Sequence, residues 1–454
     1  MISRREALVA GLGAAAGTAL AGCGVSAGAA PRRRRVVVVG AGLAGLGAAR
    51  VLKGRGTDVV LLEARERIGG RVHTVERFGT KIDLGASWIH DSRGNPLTEV
   101  ARQAGLQTVP TDYEAVLARF AGGEAVGAGQ LERVLATYES IQSSLYRRAR
   151  RSPRSPLAPA LQAELSRRRL STGDREVLDW VLGVEIPLDL AADPGALSLD
   201  GYYEGETWKG GPDLMIRGGA SQLVEAVASG LEVRTGVEVK TVSRDGRGVR
   251  VVTASGETIA ADGCVVTVPL GVLKAQGIRF DPPLPARQRR AISRIGFGLL
   301  EKTFLSYASA WWPQDVQSLG TVGAPLARTV AAFELARVTG TPLAVGFTGG
   351  SWAAGLERAG KTSEEVVGSL RSGFGDQATP QETLSTAWRS DPFARGTYSH
   401  LAPGTDASWR TTLGRPVGRV ILAGEHTSVA RPSTMDGAWL AGQAAARRLA
   451  SALG

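Results

Sequence analysis

A strand, a glycine turn, a helix and a second strand follow one another near the start of the sequence, and this order constrains the fold more than any other feature. Residues 36–39 are four valines, a β-branched run that suits a strand buried in a parallel sheet. Residues 40–45 read G-A-G-L-A-G, and a helical pattern of apolar residues continues to Val51. A second strand is predicted over residues 58–62. This order predicts a βαβ unit that binds a dinucleotide.

Each glycine of the turn has a separate role in such a unit. Gly40 permits the tight turn, Gly42 lets the backbone approach a pyrophosphate, and Gly45 lets helix and strand pack closely. The N-terminus of the helix then directs its positive dipole end at the phosphates. Glu63 follows the second strand, where its carboxylate can accept hydrogen bonds from a ribose diol. The unit alone does not distinguish NAD from FAD.

The composition is that of a globular chain large enough for two or three domains, with 454 residues, 43% hydrophobic and 21% charged. The formal net charge is +11, and lysine supplies only seven of the 54 basic residues. Arginine-rich runs occur at residues 32–35, 147–154 and 167–169. They are typical of solvated faces, and the alternative is attraction to an anionic membrane surface. Nucleic acid is not expected as a partner, because the N-terminus directs the chain out of the cytoplasm.

The first residues predict an export signal. Residues 3–8 read S-R-R-E-A-L, and an uncharged Gly/Ala-rich run follows to Gly22, too short and too weakly apolar for a transmembrane helix. Residues 20–23, L-A-G-C, close it. The segment resembles a twin-arginine signal that ends in a lipoprotein box, which implies cleavage before Cys23 and lipid attachment to its thiol. We therefore expect residues 1–32 to be signal and linker, and the mature protein to be extracytoplasmic and anchored to the cell membrane by lipid.

Cysteine and histidine usage gives no sign of a metal site. The two cysteines are Cys23 and Cys264, so a lipidated Cys23 leaves no disulfide within the chain. Cys264 lies in an apolar strand-like run, where a buried, inert thiol is expected. The four histidines show no metal-ligand spacing, and we predict no metal.

Residues 63–72 distinguish the cofactor. They read E-A-R-E-R-I-G-G-R-V and resemble the E-A-x-x-R-x-G-G-R signature of the flavin amine oxidase superfamily. Further segments resemble the same family in chain order, and they are residues 83–96, 215–223, 237–242, 265–274, 388–399 and 420–439. The resemblance spans residues 35–450 and covers the polyamine oxidases, the monoamine oxidases and the histone-demethylase relatives, with the polyamine and demethylase branches most similar.

The resemblance implies an FAD held without a covalent bond, since Thr397 stands where monoamine oxidases carry the cysteine that bonds to flavin. It also implies that Arg65 and Arg71 offer charge to the phosphates, that Val239 lies in the strand that contacts adenine, and that Glu425 reaches the ribityl chain. The cofactor contacts it implies are Gly40, Gly42, Ala44, Gly45, Glu63, Ala64, Arg65, Gly70, Arg71, Gly85, Ala86, Ser87, Trp88, Val239, Trp388, Gly424, Glu425, Thr434, Met435 and Ala438.

Lys302 matches the family lysine that bridges to flavin N5 through a water. The ordinary interpretation of such a residue is a surface lysine on a strand. The chain, however, uses arginine almost everywhere else and keeps a lysine here. A lysine can lose its charge when buried and an arginine cannot, so we predict that Lys302 is catalytic.

Three further residues are predicted at the substrate. Tyr398 matches one wall of the family's aromatic cage, whereas Thr434 stands where monoamine oxidases carry the second tyrosine, which argues against typical monoamines. His90 matches a histidine of animal polyamine oxidases, and its ring can bind or deprotonate a substrate nitrogen. For Tyr398 and His90 the alternative is a structural role in the core.

The resemblance implies an α/β fold, in which a Rossmann-like FAD-binding domain is interleaved with an α+β substrate domain of mixed sheet plus helices. The FAD-binding domain is expected in residues 33–95, 212–275 and 386–454, and the substrate domain in residues 96–211 and 276–385. Residues 111–185 are predicted to be mostly helical and residues 300–350 to form strands.

The predicted function is FAD-dependent oxidation of an amine C–N bond by hydride transfer, with imine hydrolysis and reduction of O2 to H2O2, and a polyamine-type substrate is favoured. The alternatives are an L-amino-acid or monoamine oxidase, a carotenoid-type desaturase, and a non-catalytic FAD-binding lipoprotein. The acids Asp200, Glu204 and Glu206 can receive a distal ammonium group, but solvated loop residues are expected there. The sequence leaves the oligomeric state open.

Overall fold

The computed structural model describes residues 33–453, so the predicted signal, with Arg4, Arg5 and Cys23, lies outside the described residues. From Arg34 onward the chain forms one compact unit. Across residues 33–453, no helix combines the length and the hydropathy that crossing a bilayer requires.

The strands β1 to β22 are, in chain order, Arg35–Val39, Asp58–Leu62, Thr74–Arg77, Thr80–Asp83, Trp88–Ile89, Thr108–Thr111, Val116–Phe120, Asp213–Ile216, Val233–Arg234, Val239–Arg244, Val249–Thr253, Thr258–Ala261, Gly263–Val266, Arg279–Asp281, Gly296–Phe297, Leu300–Ser306, Ser318–Val322, Ala331–Glu334, Leu343–Gly349, Glu382–Ser385, Ser399–His400 and Val420–Leu422. The helices α1 to α14 are Leu43–Gly54, Pro96–Gln103, Ala128–Arg151, Leu157–Ser166, Thr172–Gly183, Leu199–Tyr202, Ser221–Ala228, Leu270–Lys274, Ala286–Arg294, Ala336–Thr339, Gly350–Ala359, Thr362–Phe374, Ser408–Leu413 and Met435–Leu453.

The predicted βαβ unit is present, because β1, α1 and β2 occupy the expected residues. β1 lies at the centre of a five-stranded parallel sheet of order β22-β13-β1-β2-β9. Val36 and Val38 face a core shared with α1, α7 and α14, while Val37 and Val39 face a core shared with a second sheet of order β12-β11-β10-β14. Both faces of β1 are therefore buried, which is why its sequence is continuously apolar.

Helices α1 and α14 pack closely against one another beside this sheet. A Cβ added at Gly442 of α14 would lie 1.8 Å from the backbone oxygen of Ala44 in α1. Glycine at this position thus sets the distance between the two helices. The contact packs the N-terminal half of α14 against the first turn of α1, where the glycine turn ends.

A six-stranded sheet of order β20-β16-β19-β18-β17-β7 forms a second structural region. Its strands β16 to β19 confirm the strands predicted within residues 300–350. Residues 111–185 are mostly helical as expected, with α3, α4 and α5, and they also contain the strand β7, which pairs in parallel with β17. β7 is stabilised by pairing with a strand about 200 residues away, and such tertiary pairing overrides the local sequence pattern. No short stretch of sequence could therefore reveal this strand.

The strands of the five-stranded sheet come from all three segments assigned to the FAD-binding domain, and those of the six-stranded sheet come from the two segments assigned to the substrate domain. The α/β fold class is confirmed. The domain boundaries stay a prediction, because the described chain forms a single compact unit.

Candidate active site

The glycine turn after β1 forms a cradle made of backbone. Gly40 has a φ of +99°, and a Cβ on Gly45 would lie 1.8 Å from the oxygen of Gly40, so both glycines are required by the turn itself. Gly42 differs, because a Cβ there would meet only Gly69 O at 3.8 Å and Gly70 Cα at 4.0 Å. The protein's own packing tolerates a side chain at Gly42, so the absence of one leaves room for a ligand that approaches the backbone.

The N-terminus of α1 opens onto this cradle without a side-chain cap and without an acidic residue in its first turn. Its free N–H groups and dipole therefore favour an anion. Glu63 is buried at the end of β2 and accepts hydrogen bonds from Ala41 N (2.8 Å) and Arg65 N (2.9 Å). Each carboxylate oxygen keeps a second lone pair for a hydroxyl. These features fit the pyrophosphate and ribose of a dinucleotide.

The two arginines predicted at the phosphates are both held by carboxylates. Arg65 donates to Asp391 Oδ1 at 2.7 Å, and Arg71 donates to Glu425 Oε1 at 3.0 Å and to the carbonyl of Thr397. Burial alone would raise the pKa of Glu425, but the charges of Arg71 and Arg410 outweigh it and lower the pKa to about 2. The pair Arg71–Glu425 is thus a fixed pair of opposite charges at the end of the site where the cofactor is expected, the cofactor end.

The other predicted cofactor residues lie around the same sheet. Ala44 is in α1, Ala64 follows Glu63, and Val239 begins β10 beside it, since Val237 N donates to Glu63 O at 2.8 Å. Gly424 follows β22, while Met435 and Ala438 lie in the first turn of α14. Trp388 is buried, and its indole donates to Leu84 O at 3.1 Å.

Lys302 lies in the middle of β16 and is buried, not on the surface. Its Nζ donates to Asp83 O (2.9 Å), Gly85 O (2.6 Å) and Ser87 Oγ (2.6 Å). Burial lowers the pKa of Lys302 to about 8, although the charge of Asp83 opposes this shift. A side chain so placed changes charge close to neutral pH, which suits a role in proton movement.

Residues 85–88 were predicted at the flavin, and two of them bind Lys302. Gly85 is required by packing, since a Cβ there would lie 1.8 Å from Arg71 O, and Ala86 N donates to the same oxygen at 3.1 Å. Trp88 lies with its ring centroid 5.5 Å from Nζ of Lys302. Residues 85–88 therefore connect Lys302, through hydrogen bonds, to Arg71 at the cofactor end.

His90 follows β5 and is held by Asp213, the first residue of β8, at 2.6 Å between Nδ1 and Oδ2. Burial lowers the pKa of His90, but the hydrogen bond and the charge of Asp213, with smaller contributions from Asp189 and Asp436, outweigh it and raise the pKa above its ordinary value of 6.5. The sequence predicted His90 at the substrate but did not identify Asp213, the aspartate that holds its ring and raises its pKa.

Tyr398 donates from its hydroxyl to the backbone oxygen of Asp189 at 2.8 Å, which fixes the ring. Thr434 accepts from Gly437 N at 3.0 Å and donates to Arg431 O at 3.1 Å, so it caps α14. Asp189 links these residues to His90, because its charge acts on both His90 and Tyr398.

A group of acids and tyrosines beside His90 was not found from the sequence. Tyr113 donates to Asp213 Oδ2 at 2.9 Å, and Tyr138 donates to Glu185 Oε2 at 2.9 Å. Asp189 and Glu185 are accessible, yet burial raises the pKa of each carboxyl. The one signal in the sequence was Asp189 itself, an acid directly after an apolar run.

One of the three acids expected to be solvated, Glu204, departs from that expectation. Glu204 is buried and pairs with the fully buried Arg410 at 2.7 Å, so the expectation of a solvated loop residue was wrong for Glu204. Arg410 also donates to Ser399 Oγ at 2.7 Å, and that hydroxyl donates to Glu425 Oε2 at 2.6 Å. The acid thus belongs to the structural network of the cofactor end, because burying an arginine requires a paired carboxylate.

The flavin containing amine oxidoreductase family matches residues 43–450, which is most of the chain. The protein belongs to this family. Its cofactor is FAD, and the glycine cradle, Glu63 and the open N-terminus of α1 fit that group.

Several members of the flavin containing amine oxidoreductases resemble this chain along most of its length. Polyamine oxidase 4 of Oryza sativa subsp. japonica is 33% identical over 429 residues, covering 90% of this chain and 87% of that protein. Polyamine oxidase 2 of Arabidopsis thaliana is 33% identical over 435 residues, covering 91% and 88%. Lysine-specific histone demethylase 1 homolog 3 of Oryza sativa subsp. indica is 33% identical over 435 residues, covering 90% of this chain and 53% of the other.

Among solved structures, putrescine oxidase bound to putrescine superposes with a TM-score of 0.75 at 20% identity, covering 92% of this chain and 99% of that chain. At that identity the likeness supports the fold alone. The roles of the individual site residues in this amine oxidoreductase stay predictions.

Proposed function

We propose that the protein oxidises a polyamine-type substrate at a C–N bond with FAD, as an exported and lipid-anchored enzyme. The observation that carries the substrate class is a set of carboxylates near His90: Asp213 is hydrogen-bonded to its ring, Asp189 raises its pKa, and Glu185 is in turn influenced by the charge of Asp189. Carboxylates that protein largely surrounds attract ammonium groups strongly, because little water screens them. A substrate with more than one ammonium group matches such a set of acids better than a monoamine does, and a substrate carboxylate would be repelled.

Residues of the protein itself position the substrate, exclude bulk water and move a proton. Tyr398 presents a ring fixed at its hydroxyl, against which an alkyl chain can pack. Lys302 is enclosed by backbone oxygens and by Trp88, so its site excludes bulk water. Above a pH of about 8 Lys302 is neutral and can hold a water or accept a proton at Nζ.

When bound, FAD supplies the two-electron acceptor that takes a hydride from the carbon next to the amine nitrogen and passes the electrons to O2, with H2O2 as the product. The imine product hydrolyses in water. Thr397 donates from its hydroxyl to Gly298 O at 3.2 Å and carries no thiol, which supports a cofactor held without a covalent bond. Acid precipitation should therefore leave the flavin in the supernatant; a yellow pellet would contradict this.

The substrate class is tested by anaerobic stopped-flow mixing with spermidine, spermine, putrescine, aromatic monoamines and L-amino acids, following loss of the oxidised flavin absorbance. We expect bleaching by polyamines. Bleaching by amino acids alone would assign the protein to the L-amino-acid oxidases. FAD-bound protein that no amine or amino acid bleaches would support the non-catalytic lipoprotein.

The export proposal is supported by S-R-R-E-A-L at residues 3–8 and by L-A-G-C at residues 20–23. Metabolic labelling with a fatty acid in the native host should mark the wild type and not Cys23→Ala. Replacing Arg4 and Arg5 by lysine should leave the protein in the cytoplasm. Export of that double variant at the wild-type level would exclude the twin-arginine route.

A further inference from the structure

Asp213 uses both of its oxygens to hold the segment that carries His90. Oδ2 lies 2.6 Å from His90 Nδ1 and accepts from Tyr113 OH at 2.9 Å, while Oδ1 accepts from Asp91 N at 2.8 Å. Asp91 has a φ of +50°, in the left-handed region that non-glycine residues seldom adopt. One carboxylate therefore orients the ring and stabilises the unusual turn that follows it.

The rest of His90 is also fixed. Asn95 Nδ2 donates to the His90 carbonyl at 2.7 Å, and β5, which ends just before it, pairs with β8, which begins at Asp213. Within residues 33–453 the ring is hydrogen-bonded through Nδ1, so Nε2 is the nitrogen left for a substrate. The side chain is 45% exposed, so the ring is accessible to a substrate.

We propose that His90 and Asp213 form a proton-accepting dyad, in which Asp213 orients the ring so that Nε2 takes the proton of a substrate ammonium group. The N–H bond of the ammonium breaks, its electron pair stays on the amine nitrogen, and the proton binds Nε2. The resulting imidazolium is stabilised by the Asp213 carboxylate at Nδ1. The inference rests on the proposed function, because an amine must lose its proton before a hydride can leave the neighbouring carbon.

The electrostatic surroundings agree with this geometry. The charged or titratable groups around the ring come from several elements, and they are Asp213 on β8, Asp189 after the π-helical turn Val184–Leu188, Asp436 on α14, Tyr113 after β6, and the neighbouring Asp91 with its partner Arg431. The three carboxylates Asp213, Asp189 and Asp436 raise the pKa of His90 against the effect of burial, which makes its ring a stronger base.

Asp213→Asn tests the dyad, because asparagine keeps the shape and can still accept from Asp91 N. A 15N-histidine NMR titration of the FAD-bound, substrate-free enzyme should show the pKa of His90 falling by about one unit or more. The acid limb of kcat/KM should move to lower pH by the same amount. Asp213→Glu should restore part of the wild-type titration, and Asp376→Asn, whose carboxyl is 92% exposed, should change neither readout.

His90→Gln separates proton transfer from structural support. At pH 7 we expect kcat/KM for putrescine to fall about 100-fold and to recover as the pH approaches the amine's own pKa, about 10. An equal loss at every pH, or a His90 titration unchanged in Asp213→Asn, would overturn the dyad. If the titration shifts as expected in a protein that oxidises no amine, the positioning role of Asp213 survives while the proposed function fails.

Discussion

The cofactor end and the substrate end of this site are built from different chemistry. At the cofactor end, glycines and backbone N–H groups form the cradle, and the charges there, such as Arg71 and Glu425, neutralise one another in pairs. At the substrate end, carboxylates such as Asp189 and Glu185 are accessible and pair with no arginine within residues 33–453. We therefore expect charge at the cofactor end to maintain structure and charge at the substrate end to bind ligand.

The largest effect is expected at Lys302, which stands between the two ends. Lys302→Met should slow anaerobic flavin reduction by putrescine about 10²–10⁴-fold, because a group that moves a proton is lost. An ionisation near pH 8 should disappear from the pH profile, since burial lowers the pKa of Lys302 to about 8. Lys81→Met, at an exposed lysine, is the matched control, and equal slowing in both variants would contradict a catalytic role.

Glu425→Gln tests whether the paired charges at the cofactor end stabilise the fold. The pKa of this carboxyl is lowered from 4.5 to about 2, so its stabilisation is fully present above pH 4.5 and is lost as the pH falls towards 2. The variant should lose about 3 kcal/mol of unfolding free energy at pH 7, with a smaller loss at pH 4. Urea unfolding measures this, with the exposed Glu382→Gln as control. A loss independent of pH would mean that shape, and not charge, is responsible.

Two glycines of the cradle should respond differently to the same substitution. Gly45→Ala places a Cβ 1.8 Å from a backbone oxygen and should lower the free energy of unfolding of the apoprotein by about 1–3 kcal/mol or more. Gly42→Ala meets no close atom, so stability should hold while the Kd for FAD rises about tenfold, or about 1.4 kcal/mol. Fluorescence quenching of free FAD measures binding. Unchanged affinity in Gly42→Ala would show that the cradle does not hold the cofactor there.

The smallest effect is expected at Asp189, at the substrate end. Asp189→Asn should raise the KM for putrescine about tenfold and change kcat less, because it removes an attraction made before and during reaction alike. Its unfolding free energy should stay the same or rise, since an accessible but desolvated carboxyl is a cost to the fold. If Asp189→Asn raised the KM for a monoamine as much as the KM for putrescine, the result would contradict the distinction between structural charge at the cofactor end and ligand-binding charge at the substrate end.

Contiguous motifs made the cofactor end predictable. The strand, turn and helix that hold Gly40 to Gly45 lie within a short stretch, and the alternation of Val36 to Val39 between two cores follows from a central strand. Lys302 was predicted from its match to the family lysine and from the scarcity of lysine in the chain, and its burial agrees with that argument.

The substrate end depends on pairs that are distant in the sequence. Asp213 meets His90 across 123 residues, and at the cofactor end Arg410 meets Glu204 across 206 in the same way. No local pattern encodes such a meeting, because it follows from how β8 pairs with β5 and how α13 packs. Glu204 was therefore assigned to solvent, and Asp213 was not identified from the sequence.

The order of strands in the five-stranded sheet has a consequence for biosynthesis. β1 emerges first from the ribosome but pairs with β13, where Val36 lies beside Gly263, and β22 joins the edge beyond it only near the end of translation. Nearly the whole polypeptide must therefore be synthesised before the cradle is complete, and we expect cofactor loading to be a late, post-translational event. If the chain is exported as proposed, that sequence of events requires a pause between synthesis and departure from the cytoplasm.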